Sequence, residues 1–264
     1  MNRIVAICLL KNEDRFLDRV LANICEFCDE ILLADHQSTD GTPDIAKAWT
    51  DRCGHIQYRR IRDPGESHEW VRTYADSRTW IFGVDGDEIY DPAGLLRLRT
   101  GLCEGAYDEY RQIYGHALHC ERIDEDKLLA YGYTTPPCRT ITKMYNFNAI
   151  HDWEGPCPER THGGRILFKD SHTADDNLWL YRDVPWDEAD FRCLHTVFLP
   201  RSSRDADDEQ ARQNLSELNR ASLLQRGLNR VRKPPASTYK YEKYRKGPLV
   251  EKNVEAFFPG ELKS

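Results

Sequence analysis

Residues 79–88 read TWIFGVDGDE, an apolar run that stops on acid. Trp80, Ile81, Phe82 and Val84 show no alternation with polar residues. That is the pattern of a strand buried on both faces, as in a parallel sheet covered by helices. Ligands of such sheets bind beyond the carboxyl ends of the strands, so this strand carries Asp85, Asp87 and Glu88 to that rim. Neighbouring carboxylates repel one another unless a cation or a hydrogen-bonded hydroxyl compensates. Mg2+ or Mn2+ would do so, since either ion accepts one or two carboxylates and completes its shell with water and substrate phosphates.

Upstream, the chain alternates. Residues 4–10 form an apolar strand, and 14–28 carry Phe16, Val20, Leu21, Ile24 and Phe27 at helical spacing. Residues 30–35 (EILLAD) are a second strand ending on Asp35. The turn Ser38-Thr39-Asp40-Gly41-Thr42 launches a helix through 45–49, with Asp40 or Thr42 as its cap. A third strand at 55–60 and a helix at 68–76 precede the acidic strand. This β-α-β-α-β-α-β rhythm predicts the α/β class, with a mainly parallel, Rossmann-like sheet flanked by helices.

The second half is less regular. Residues 107–118 and 140–147 read as strands joined by a loop containing Pro136-Pro137, and 153–164 is rich in Gly and Pro. Residues 205–226 have helical composition, which predicts a C-terminal helical extension. From 227 the chain turns basic, with Arg230, Arg232, Lys233, Lys240, Lys243, Arg245 and Lys246 interleaved by Tyr239, Tyr241 and Tyr244. That segment is a candidate for contact with anionic lipid headgroups at a membrane surface, or packs across its own domain.

At 264 residues and net charge -7, the chain has room for one sizeable core and lacks the basic balance of a nucleic-acid binder. No run approaches the roughly 20 apolar residues of a membrane-spanning helix. The N-terminal apolar run is short and followed at once by Lys11-Asn12-Glu13, so it reads as a first strand rather than a signal peptide, and a cytoplasmic protein is expected. Nine scattered cysteines fit reduced thiols, and Cys25-x-x-Cys28, with no second such pair, reads as packing.

Three segments together, ICLLKNEDRFLDRVL (7–21), DEILLADHQSTDGTPDIA (29–46) and RTWIFGVDGDEIYDP (78–92), resemble the N-terminal half of the family 2 glycosyltransferases, which have the GT-A fold. KMYNFNAIHDWEGPCPER (143–160) is similar to the later segment in which an aromatic and a Gly precede a His-Glu pair. Two positions depart, Pro158-Glu159 in place of His-Glu and His36-Gln37 at the centre of the second motif. The resemblance implies a metal-dependent, inverting glycosyltransferase that uses a nucleotide-sugar donor, UDP-linked first among them, and a glycan or lipid-linked acceptor. It also implies a domain over 1–226, with a nucleotide half to about 100 and an acceptor half beyond, followed by the basic extension 227–264.

By that likeness Asp35 meets the nucleobase or ribose, Asp85 the ribose or metal, and Asp87 the metal and diphosphate. Leu9, Leu10 and Lys11 line the nucleotide pocket, Gly86 lies in the diphosphate grip, and Arg72 reaches a donor phosphate. Glu159 is the first candidate for the base that deprotonates the acceptor hydroxyl, with Asp152 and Glu154 as competitors. His195 is the candidate third metal ligand and His172 its alternative; an imidazole ligand would favour Mn2+ over Mg2+. Two rival readings stand beside this one. A non-catalytic protein that binds sugar nucleotides is kept open by Pro158, whereas a nucleotidyltransferase is disfavoured because no Gly-rich loop follows the first strand.

Overall fold

Strand β1, Arg3–Leu10, is the spine of the molecule, and its alternate residues feed two separate cores. Ile4, Ala6, Cys8 and Leu10 point to one face, and Val5 and Ile7 to the other. The computed structural model describes residues 1–154, 165–204 and 243–260. Around β1 run α1 (Leu17–Ile24), β2 (Glu30–Asp35), α2 (Thr42–Arg52), β3 (Ile56–Arg60), α3 (Gly65–Arg72) and β4 (Thr79–Asp85), in the alternation expected from the sequence. Helices α1 and α2 cover the first face, while Trp70 and Val71 of α3 cover the second. This accounts for the unbroken apolar runs: a strand with helices on both sides has no wet face.

The rest of the chain comprises β5 (Glu88–Tyr90), α4 (Pro92–Glu104), β6 (Gln112–Tyr114), β7 (His116–Asp124), β8 (Leu129–Thr134), β9 (Lys143–Asn146), β10 (Ile150–Glu154), β11 (Arg165–Phe168), β12 (Asn177–Trp179), β13 (Arg192–His195) and β14 (Val250–Asn253). A seven-stranded sheet has the order β12-β6-β9-β4-β1-β2-β3, and only β9 runs against the others. A second sheet of five strands, β14-β8-β7-β13-β5, packs on the α1 side, and β10 pairs with β11 in a hairpin. The mainly parallel α/β architecture expected from the sequence is therefore present.

Several elements differ from expectation. Residues 107–111 are not strand, and the run 107–118 is split between the two sheets at Gly115. A Cβ at Gly115 would lie 2.1 Å from the Phe191 carbonyl, so the chain can cross there only without a side chain. Helix α4 is unassigned in the sequence reading, although Asp91 caps it by accepting from Gly94 N, Pro92 opens it and Gly105 closes it at φ 89°. Helix α3 starts three residues earlier than expected: Asp63 accepts from Gly65 N at its first residue, and Glu66 reaches back to accept from the Arg62 and Asp63 amides just ahead of it. The expected C-terminal helix at 205–226 lies outside the described residues. Part of the expected extension is integral to the domain: β14 pairs with β8, and Val254 and Phe257 are in the main core. Eight described cysteines are free thiols, and the sulfur 3.9 Å from Cys25 is that of Cys53 rather than Cys28.

Asn23, buried on α1, joins three parts of this fold. Its Nδ2 donates to the Tyr90 carbonyl (2.7 Å) and to the Phe257 carbonyl (2.8 Å). Asn23→Ala should lower unfolding free energy by about 2 kcal/mol or more, since two buried carbonyls lose their donor. Urea denaturation measures this, and an unchanged midpoint would show that other donors reach them.

Candidate active site

Parallel register brings the acidic residues of two strand ends together. Leu9 lies opposite Asp85 and Leu10 opposite Asp35, so Asp35 and Asp85 flank the end of β1. Asp35 is fully buried; its Oδ1 accepts from Ser38 N (2.8 Å) and its Oδ2 from the Tyr58 hydroxyl (2.9 Å). Burial, and then the Asp35 carboxylate, push the Tyr58 phenol up to about 12. Leu10 is likewise wholly buried, whereas Leu9 and Lys11 keep some exposure. Leu10 thus packs beneath the end of β1, and the buried Asp35 holds Tyr58 and the Ser38 amide there.

That loop is cross-bonded to the residues after β1. Lys11 Nζ donates to the carbonyls of His36 (2.7 Å) and Gln37 (2.8 Å), Asn12 N to Ser38 Oγ (2.9 Å), and Thr39 N to Asn12 Oδ1 (2.8 Å). Asn12 and Gln37 both sit at left-handed φ, 53° and 55°. Strained backbone of this kind persists where surrounding bonds over-determine it, and it collects at ligand sites.

The turn between β4 and β5 is where the chain passes from the first sheet to the second, and Asp85 to Glu88 lie there. Lys143 of β9 places Nζ 2.5 Å from Asp85 and 3.3 Å from Glu88. Glu88 also accepts from the Tyr90 hydroxyl (3.1 Å). Asp87 is buried, with Arg201 Nη1 2.5 Å and His195 Nε2 3.7 Å from its Oδ2. Arg201 also reaches Glu13 at 3.5 Å. Burial alone would weaken the Arg201 charge, but Asp87 and Glu13 outweigh it and hold the guanidinium firmly protonated. Gly86 is packed on Glu13, whose Cβ and Cγ would lie 2.7 Å from any added Cβ.

His195 arrives from the second sheet. In β13 it pairs with Glu88 of β5 on one side and with His119 of β7 on the other. Thr196 N then donates to the Asp87 carbonyl (2.9 Å), which fixes β13 to the acidic turn. Burial, and then His195, push His119 well below the usual imidazole range.

A divalent cation fits this corner. Among the described residues no three His, Cys, Asp or Glu side chains form a metal cage, but Asp87 and His195 offer one carboxylate and one imidazole nitrogen 3.7 Å apart. Ions that keep water and substrate phosphate in their shell need no more from the protein.

The remaining candidates lie elsewhere. Arg72 donates to Asp152 Oδ1 (2.7 Å) and the Trp153 carbonyl (3.1 Å), and its guanidinium lies 4.2 Å from the Trp153 ring centroid. Asp152 is thereby engaged, and Glu154 is exposed, 3.7 Å from Arg165. His172 donates to or accepts from Ser171 and meets the Asp108 carbonyl at 2.9 Å, and no described contact joins it to Asp87. Glu159 lies outside the described residues. Sequence reasoning missed Glu13, Tyr58, His119, Lys143 and Arg201. Lys143 opens a motif-bearing segment, which was a usable signal, but nothing in the Leu199-Pro200-Arg201-Ser202 sequence marks Arg201.

Removing Arg201 tests the charge balance. Arg201→Ala should cost about 3 kcal/mol of stability, because Asp87 keeps a buried charge without its ion-pair partner. The double variant Arg201→Ala with Asp87→Asn should be more stable than Arg201→Ala alone; additive losses in thermal denaturation would refute the coupling.

Comparison with known proteins places the chain in a family. A sequence model of glycosyl transferase family 2 matches residues 6–174. The lipopolysaccharide core biosynthesis glycosyltransferase LpsC of Rhizobium meliloti (strain 1021) is 28% identical over 165 residues, which are 61% of this chain and 55% of that protein. The chain thus spans about half the length of the curated relative it matches. Similar solved structures include the mannosyltransferase PcManGT from Pyrobaculum calidifontis in complex with GDP-Man and Mn2+, at 16% identity and TM-score 0.43, covering 76% of this chain and 58% of that one. S. aureus TarS is similar at 15% identity and TM-score 0.39, over 55% of this chain and 28% of that one. With the family match running from β1 through the acidic turn and beyond, the chain belongs to glycosyl transferase family 2, and its domain is a glycosyltransferase domain.

Proposed function

We propose that the protein transfers a glycosyl group, with inversion, from a nucleoside-diphosphate sugar to a hydroxyl of a glycan or lipid-linked acceptor. The observation that carries this reading is the meeting of Asp85, Asp87 and His195 at one corner, beside the Asp35–Tyr58 pair at the end of β1. A UDP-sugar is the first donor to test. The name of the relative LpsC supports a lipid-linked glycan acceptor. The active site would work at the cytoplasmic face of a membrane, with the basic segment 227–248 as the peripheral contact. No helix of the described residues is long and apolar enough to cross a membrane.

Leu9, Lys11 and Tyr58 would form the nucleoside side of the cleft, shaped from beneath by Leu10 and Asp35. Asp85 with Lys143 and Asp87 with Arg201 would frame the diphosphate. A Mn2+ or Mg2+ ion held by Asp87 and His195 would neutralise charge that builds on the leaving diphosphate. The acceptor oxygen attacks the anomeric carbon as the bond from that carbon to the diphosphate oxygen breaks. The hydroxyl proton passes to a carboxylate, for which Glu159 is the first candidate and Glu154 the next, because Asp152 is engaged by Arg72. Arg72 has a positioning part: it ties α3 to β10, the strand from which the 155–164 segment departs.

Nucleoside diphosphate release, with Mn2+ and each of UDP-, GDP-, CMP- and dTDP-sugars, tests the reading. Wild type should hydrolyse or transfer at least one of them. Asp87→Asn should lose activity by about 100-fold or more, as expected when a group stabilising leaving-group charge is removed. Glu159→Gln should keep donor binding and lose turnover. Wild type that binds nucleotide and turns over no sugar nucleotide would instead establish the non-catalytic reading.

A further inference from the structure

We infer that His119, on a strand that carries no part of the nucleotide rim, is a positioning residue that fixes the tautomer of His195 so that its Nε2 lone pair faces Asp87. The inference rests on the proposed role of Asp87 and His195 as cation ligands, but its first observable does not.

His119 Nε2 lies 3.0 Å from the backbone carbonyl of Arg139, and a carbonyl can only accept. His119 Nε2 therefore carries the hydrogen. A neutral imidazole has one N–H, so His119 Nδ1 is left as an acceptor. His119 is fully buried beside a second imidazole, where neither ring gains from a charge on the other. The two Nδ1 atoms are 2.8 Å apart, which requires a single proton between them. That proton belongs to His195.

With Nδ1 protonated, neutral His195 has its lone pair on Nε2, the atom 3.7 Å from Asp87 Oδ2. This is the tautomer a cation ligand needs, and a partner that orients the far nitrogen is the ordinary way a protein selects it. The opposite tautomer would set an N–H against the carboxylate and withdraw the nitrogen from any cation. Strand register makes the arrangement unavoidable: β7 and β13 are parallel neighbours with His119 directly beside His195. Tyr244 packs against both rings, its centroid 4.5 Å from His119 and, edge-on, 5.3 Å from His195. The relay thus runs from the Arg139 carbonyl through two imidazoles to the acidic turn.

The test uses the full chain labelled with 15N-histidine, free of metal, and long-range 1H–15N correlation spectra at neutral pH. The expected result is an Nε2–H tautomer for His119 and an Nδ1–H tautomer for His195; an Nε2–H tautomer for His195 would overturn the inference. Titration with MnCl2 followed by electron paramagnetic resonance gives the second readout. His119→Leu, which has no acceptor, should weaken Mn2+ binding by about 10-fold or more, the usual effect of losing an orienting partner. His119→Asn keeps an oxygen near the Nδ1 position and should retain most of the affinity. Equal loss in the Leu and Asn variants would contradict a tautomer effect and indicate damaged packing. His195→Ala with unaltered Mn2+ affinity, alongside the expected tautomers, would retire the cation-ligand reading while leaving the relay in place.

Discussion

Everything in this structure turns on the corner at residues 85–88, where the chain leaves one sheet for the other with four carboxylates gathered around it. Glu13, Asp87 and Glu88 are buried, and Asp85 is half-buried. Taking ions out of water costs several kcal/mol each unless partners replace the lost hydration. Lys143 and Arg201 supply two such partners, each from a distant part of the chain.

The same constraint explains why the second half of the chain wraps as it does. Arg201 reaches Asp87 only because the segment after β13 is stitched onto the rim of the first sheet. Ser202 Oγ donates to Asp40 Oδ2 (2.6 Å), Ser203 N donates to Asp14 Oδ1 (2.6 Å), and Arg15 N donates to the Arg201 carbonyl (3.1 Å). Burial raises the cost of ionising Asp40, yet the bonds it accepts from Ser202 and Thr42 hold its carboxyl below the usual carboxylate range. Below that range these bonds weaken as Asp40 protonates, so the stitch contributes stability at neutral pH that is lost on acidification. The second sheet plays the matching part from the other side by presenting His195 under the turn.

The first half of this architecture was legible because its physics is local. Strands buried on both faces must be continuously apolar, and β1, β2 and β4 say so in their sequences. The strand-end acids Asp35 and Asp85 follow from the same reading, since register alone sets them side by side. The five-stranded sheet was not legible. Its strands are gathered from four separated stretches, only β7 and β8 being neighbours in sequence, and the break at Gly115 is set by the approach of the Phe191 backbone, a contact no window of sequence contains. Arg201 and His119 escaped for the same reason, as their meaning comes from partners 114 and 76 residues away. Leu10 and Asp35 show the converse limit: the sequence brought them to the rim, but only packing shows that both lie beneath its surface.

Anomalous diffraction from crystals grown with Mn2+ and a nucleoside diphosphate tests the central claim most directly. The account predicts a manganese peak between the Asp87 carboxylate and His195 Nε2, with the diphosphate completing the shell. A diphosphate bound elsewhere, or manganese absent from that corner at saturating concentration, would contradict it.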